Sequence, residues 1–161
     1  MSQSVSALKA RPSDVDTPEH LVAALYESVS YLPFGEPDWD RARSLFFPGA
    51  LIAPPWNQDG RSHTAMSLEA FIDWAKPQFL GPERHSKGFY EREYAHTMER
   101  FGNVVHVFST YLSFWKKDDP EPWERGINSI QLAWDGGRWW CMSVVWDIES
   151  PEKPIPAKYL G

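Results

Sequence analysis

Polar side chains that interrupt apolar, β-prone runs are the residues of this chain best placed to do chemistry. Inside an apolar cavity their dipoles and pKa values are perturbed enough to act on a substrate. Arg125, Ser129 and Gln131 lie in one such run, Ser143 and Asp147 in the next, and His96 alternates with Tyr94 and Met98 in an earlier one. Arg125 and Asp147 read either as a charge pair at a cavity mouth that binds a carboxylate or carbonyl oxygen, or as a plain cross-strand salt bridge. In the first reading Arg125 orients the oxygen and Asp147 or His96 exchanges a proton, while Ser129, Gln131 and Ser143 line the site. His96 also reads as a histidine of the wall or core. Tyr26, beside Val22 and Val29 on a helix, either donates a phenolic hydrogen bond into the cavity or packs in the core. Trp56 follows two prolines in a turn-rich loop, as a pocket lid or a patch on the rim.

Two further clusters carry ordinary readings. Glu99 beside His106 would form the carboxylate–imidazole half of a general-base dyad, but near a hairpin tip it is a solvated ion pair. The Glu91-Arg92-Glu93 run reads as a solvated strand end.

Other chemistries lack their residues. The five histidines show no His-x-His or HExxH spacing, so no metal is expected. There is no nucleophile elbow, phosphate-cradling glycine loop or Ser-His-Asp signature. One thiol, Cys141, cannot form an internal disulfide or a thiolate zinc site, and between Trp140 and Met142 it reads as a packed core residue. What remains is cofactor-independent proton transfer or water addition by positioned side chains. A net charge of -6 disfavours nucleic acid and anionic membranes as partners. No apolar run approaches the roughly 20 residues that cross a bilayer, and residues 1–12 lack the apolar stretch of a secretory signal. A soluble cytoplasmic protein is expected.

The elements that must position these residues follow from spacing. With 161 residues, 42% hydrophobic and 15% aromatic, one compact domain is the default. Residues 1–16 show no periodicity and read as a mobile arm. Thr17-Pro18 opens a first helix over 18–31, carrying Leu21, Ala24, Leu25, Ser28, Val29 and Leu32. Asp38 caps a second with Trp39, Ala42, Leu45 and Phe46, stopped by Pro48-Gly49. Residues 50–53 suit only a short edge strand, and Ser67 caps a third helix that Pro77 ends or bends. Residues 89–101, 104–116, 124–134 and 138–148 then read as four strands joined by turns too short for crossover helices, an antiparallel meander.

Register decides which polar residues share a face. The turn Gly102-Asn103 pairs Phe101 with Val104 and Glu99 with His106. A three-residue loop Asp135-Gly136-Gly137 pairs Trp134 with Arg138 and Arg125 with Asp147. That register puts Arg125, Ser129, Gln131, Cys141, Ser143 and Asp147 on one face. Ile130, Leu132, Trp134, Trp140, Met142, Val144 and Trp146 fall on the other, an apolar surface suited to a partner. A two-residue loop would pair Asn128 with Ser143 instead. Both faces of the later strands are apolar, and three helices cover only one, so a homodimer through the outer sheet face is expected. Residues 150–161, with Pro151, Pro154 and Pro156, read as an extended strap anchored by Tyr159 and Leu160, behind a single domain over 17–149.

Thr17-Pro18-Glu19, the run Arg125-Gly126-Ile127-Asn128-Ser129-Ile130-Gln131-Leu132, and Asp135-Gly136-Gly137-Arg138-Trp139-Trp140 carry a likeness, completed by Trp146-Asp147-Ile148-Glu149 and Pro154-Ile155-Pro156. Over residues 17–161 the chain resembles the nuclear-transport-factor-2-like superfamily, nearest its SnoaL-like and ketosteroid-isomerase-like branches. The resemblance implies an α+β fold in which three N-terminal helices pack in the concave face of a curved, mostly antiparallel sheet, a cone-shaped barrel with an apolar pocket. It also implies, but does not select, a reaction: the superfamily spans isomerases, dehydratases, cyclases, epoxide hydrolases and non-catalytic modules. The two aspartates of ketosteroid isomerases have no clear counterpart, so that reaction is not carried over. The expectation is a small hydrophobic ligand, aromatic or polycyclic, with isomerase, dehydratase or cyclase chemistry and no cofactor. The alternative is a non-catalytic dimerisation or ligand-binding module. A void of about 300 Å³ or more, with Arg125 or His96 pointing in, favours a ligand; a solid core favours association alone.

Overall fold

The computed structural model describes residues 8–55 and 65–161. The elements run α1 Pro12–Val15, α2 Pro18–Val29, α3 Trp39–Leu45, β1 Phe46–Ala53, β2 Met66–Ser67, α4 Leu68–Phe79, α5 Pro82–Lys87, β3 Tyr90–Phe101, β4 Val104–Phe114, β5 Glu124–Trp134 and β6 Trp139–Ile148. A turn of 3-10 helix, Ala157–Tyr159, closes the chain. The six strands form one sheet in the order β2-β1-β6-β5-β4-β3. Only β1 and β6 run parallel, so the expected α+β class with a mostly antiparallel sheet holds.

The three longest helices start where a side chain accepts an orphan backbone N–H. Thr17 caps α2 through His20 N at 3.1 Å, Asp38 caps α3 through Arg41 N at 3.0 Å, and Ser67 caps α4 through Ala70 N at 3.2 Å. α2 ends at Val29 rather than 31, because Tyr31 and Phe89 exchange backbone hydrogen bonds of 2.7 and 3.0 Å and draw the chain into the sheet. α2 packs against both β3 and β6. Those strands lie three spacings of about 4.8 Å apart, wider than a helix is thick, so the sheet must curve around α2.

Three expectations change. Residues 12–15, assigned to a mobile arm, form α1: Val15 enters the core, and Asp14 is 6% exposed in a two-pronged ion pair with Arg41, both contacts 2.9 Å. A four-residue helix is too short to leave a period in sequence. The strand expected at the edge over 50–53 begins at Phe46 and runs between β2 and β6. Pro48 and Gly49, expected to stop a helix, instead sit in the irregular stretch of that strand between Phe46 and Leu51, with Gly49 at φ 90°. α5 was not anticipated.

The meander has nearly its expected bounds, and Phe101 opposes Val104 and Glu99 opposes His106. The Asp-Gly loop differs. Asp135 Oδ1 accepts the backbone N–H of Gly137 at 2.8 Å and of Arg138 at 2.9 Å, which extends the loop to four residues and pairs Trp134 with Trp139. A bulge at Met142 shifts the register once more, so Gln131 opposes Ser143, Ile127 opposes Asp147, and Asn128 opposes Trp146 rather than Ser143. Two slips of one residue restore the parity, so Arg125, Ser129, Gln131, Ser143 and Asp147 do share a face. Cys141, before the bulge, turns to the other and is fully buried opposite Leu132.

The sidedness is reversed from expectation. The helices cover the face bearing Ile130, Leu132, Trp134, Val144 and Trp146, all packed in the main core, because that face offers more apolar area to bury. The set expected to receive a partner is therefore the chain's own interior; Trp140 alone clearly turns outward, against Phe47. The strap crosses the outer face, where Tyr159 packs edge-on to Phe108 at 4.9 Å and its carbonyl accepts from Thr110 at 2.7 Å.

Candidate functional site

Between the concave sheet face and the helices α2, α3, α4 and α5 lies a cavity of about 180 Å³. Leu25, Phe71, Ile72, Trp74, Ile130 and Trp146 supply apolar wall, and Tyr26, Arg84, Glu91, Glu124 and Asn128 supply polar groups. The volume is below the 300 Å³ expected for a general ligand pocket. It exceeds the roughly 150 Å³ in which a buried benzene fits, so a single ring is accommodated and a polycycle is not.

The polar groups stand in rows across the inner face. Glu91 on β3 opposes Ser113 on β4, which opposes Glu124 on β5. Ser113 donates to Glu91 Oε2 at 3.0 Å, and the Tyr111 hydroxyl donates to Glu124 Oε1 at 3.3 Å. Burial pushes the Glu91 carboxyl up to about 7, the nearby Glu124 charge adds to this, and the Ser113 hydrogen bond opposes it. Burial likewise raises Glu124. Deeper along the strands, His96, Ser109 and Asn128 form another row. The Tyr26 hydroxyl meets Ser109 Oγ at 2.7 Å and accepts from Asn128 Nδ2 at 3.0 Å; Ser109 donates to Glu93 Oε2 at 2.5 Å, and Glu93 Oε1 lies 2.7 Å from His96 Nδ1. Burial drives the Tyr26 phenol far above its ordinary range, so it stays neutral.

Arg84, on α5, closes one side. Its guanidinium lies over the rings of Trp123, Phe79 and Phe89 at 5.2, 5.6 and 5.8 Å. Its positive charge lowers the carboxyl pKa values of Glu91 and Glu124, against the rise that burial causes. Among the described residues it makes no side-chain hydrogen bond or ion pair.

Of the expected site residues that the structure describes, Tyr26 alone lines this cavity. Arg125 is paired with Glu149 on the outer face, the second contact 3.2 Å, rather than with Asp147, and Asp147 is paired with Lys153 of the strap. Ser129 meets His106 Nε2 at 3.2 Å on that same outer face, and Gln131 and Ser143 oppose each other there. His96 lies on the inner side but near solvent, at the end of the Tyr26 chain. Trp56 falls outside the described residues. Among the described residues no three His, Cys, Asp or Glu side chains cluster as metal ligands.

Glu91, read from sequence as a solvated strand end, is the main correction. Counting back from the Gly102-Asn103 turn places Glu91 opposite Phe114 on the outer face; an irregularity between Glu93 and Ala95 moves it opposite Ser113 and inward. Glu124 and Asn128 were legible as the alternate set to Arg125 and Ser129. Arg84 left no signal, because its helix is short and polar on every side.

No family model matches the sequence, and no curated protein matches it. Solved structures match its fold. A protein of unknown function with a cystatin-like fold from Nostoc punctiforme PCC 73102 superposes with TM-score 0.58 at 11% identity, over 83% of this chain and 89% of that one. A nuclear-transport-factor-2-like protein of unknown function from Methylobacillus flagellatus KT gives 0.51 at 14% identity, over 81% and 86%. The Kfla4162 protein from Kribbella flavida gives 0.51 at 11% identity, over 69% and 76%. Identities this low speak to architecture, and together with the curved six-stranded sheet around α2 they show that the chain has the nuclear-transport-factor-2-like, cystatin-like α+β fold.

Proposed function

We propose that this chain binds a small single-ring molecule in the cavity and that Glu91 exchanges a proton with it, in a cofactor-independent isomerisation or dehydration. The observation that carries the reading is a carboxyl group poised at about 7 in the wall of an apolar cavity. A general base is most effective with its pKa near the working pH, and apolar walls strengthen each nearby dipole. Glu91 takes a proton from a carbon next to a carbonyl; returning it at another carbon completes an isomerisation, and handing it to a departing hydroxide, which leaves as water, completes a dehydration. The roles first assigned to Arg125 and Asp147 pass to Arg84 and Glu91.

The test is a thermal-shift screen of monocyclic aromatics and cyclohexenones, followed by NMR of α-proton exchange in D₂O. A ligand at 100 times its Kd stabilises by about 2.7 kcal/mol. Expected are hits confined to single rings, with exchange abolished in Glu91→Gln. No hit across the screen overturns ligand binding and returns the association module.

A homodimer through the outer sheet face belongs to the same proposal. Phe101, Val104 and Val145 are exposed there, 90%, 56% and 49%, and an open groove of about 500 Å³ lies beside the strap. Sedimentation at micromolar concentration should give twice 18.5 kDa, and a species of 18.5 kDa overturns it.

A further inference from the structure

We propose that the molecule this cavity takes is a monocyclic carboxylate, its ring against Phe71, Ile72 and Ile130 and its carboxylate on the Arg84 guanidinium. The inference rests on the ligand-binding reading above and adds the chemical class.

The polar groups of the cavity divide into those already satisfied and those left open. One oxygen of each carboxylate is engaged, since Ser113 donates to Glu91 Oε2 and Tyr111 donates to Glu124 Oε1. The cation of the cavity is the group left most open. All five N–H groups of Arg84 lack a hydrogen-bonded partner among the described residues, although the guanidinium is held by three aromatic rings at 5.2 to 5.8 Å. Cation–π contact acts on the face of the guanidinium and uses none of its in-plane N–H groups, which match the fork of a carboxylate. The indole N–H groups of Trp39 and Trp123 are closed off from solvent and have no acceptor among the described residues, and both rings line the same cavity. Trp39 is only 7% exposed. A buried donor without an acceptor is costly, and the two indole N–H groups are such donors; the Arg84 N–H groups, at a half-buried position, are the ones a ligand acceptor can reach.

An amine is the obvious competitor, since carboxylates and aromatic rings also suit an ammonium group. What decides against it is the fork of Arg84 N–H groups without hydrogen-bonded partners among the described residues, which an ammonium cannot use. Its charge would also face Arg84. A neutral alcohol supplies one weak acceptor and cannot engage the guanidinium in two places. The volume of about 180 Å³ sets the size at one ring.

The experiment is titration calorimetry of the full chain with benzoate, benzyl alcohol and benzylamine at one pH. Arg84→Gln, Trp123→Phe and, as a control on the outer face, Arg125→Gln are titrated alongside. Benzoate is expected to bind at least tenfold tighter than benzyl alcohol, with no benzylamine binding. Arg84→Gln should lose at least tenfold in benzoate affinity and leave benzyl alcohol unchanged. Trp123→Phe, which keeps a ring beside Arg84 and removes only an N–H shielded from the void, should change little, and Arg125→Gln nothing. If benzyl alcohol or benzylamine matches benzoate on the unsubstituted chain, or Arg84→Gln leaves benzoate affinity unchanged, the carboxylate inference falls while the cavity reading stands. If none of the three binds, the cavity reading falls and takes the inference with it. The ranking on the unsubstituted chain decides even if a variant does not fold.

Discussion

Replacing Glu91 by glutamine should make the protein more stable, and increasingly so as the pH rises. The carboxyl, 4.5 in its ordinary state, stands at about 7 in the folded chain, chiefly because burial penalises its charge. Between those values the unfolded chain has released the proton and the folded chain still holds it. The folded state therefore binds more protons, and stability falls with rising pH. The full stability is present below about 4.5, and above about 7 the loss levels off at about 3 kcal/mol. For a chain of this length that is on the order of 10 °C in Tm. Glutamine keeps the shape and the acceptor for Ser113 but cannot ionise. Urea unfolding of both proteins at pH 4.5 and pH 8 should show nearly equal stability at the lower pH and a glutamine advantage of up to about 3 kcal/mol at the higher. Titration of groups that do not interact with Glu91 cancels in the difference, while Glu124, coupled to it through charge, contributes to the pH dependence. A difference that does not grow with pH would refute the placement of Glu91 in an apolar wall. The gain would also identify Glu91 as a group kept at a cost to stability, which is common where a site needs an ill-solvated charge.

Other consequences can be measured on the same material. Asp14→Ala leaves Arg41 only its contact with the exposed Glu27, 2.8 Å away, and should cost about 2 kcal/mol in urea unfolding, with Asp14→Ala/Arg41→Met recovering most of it; a loss under about 1 kcal/mol would show that α1 is not docked. A Cβ on Gly126 would lie 2.3 Å from the Asp147 carbonyl oxygen and 2.7 Å from the Tyr111 hydroxyl. Gly126→Ala should therefore destabilise by about 2 kcal/mol or more by calorimetry and disturb the Tyr111–Glu124 contact, and a neutral effect would contradict the packing. Burial raises the Cys141 thiol well above its ordinary range, so it should resist a disulfide reagent in the native state and react only at the rate of unfolding. Fast reaction in buffer would place it at the surface.

Local signals in the chain were enough for its elements and their order. Thr17, Asp38 and Ser67 start helices because each offers an oxygen to N–H groups that no helix can satisfy itself. Gly102-Asn103 and Asp135-Gly136 end strands because glycine reaches φ values other residues avoid, 56° and 100° here. Alternation also grouped Arg125, Ser129, Gln131, Ser143 and Asp147 correctly on one face. What alternation cannot say is which of two faces the helices will cover; that depends on the summed apolar area of all four strands against α2 and α4, a property of the assembled sheet. Nor can it foresee one extra residue near Tyr94 or at Met142. With a period of two, a single insertion exchanges inside for outside, and so Glu91 entered the cavity and Cys141 the core. Arg84 joined them from the short helix just before β3, held by rings that meet only once the chain has folded. The architecture rests on short-range stereochemistry, while the candidate site is made by long-range packing.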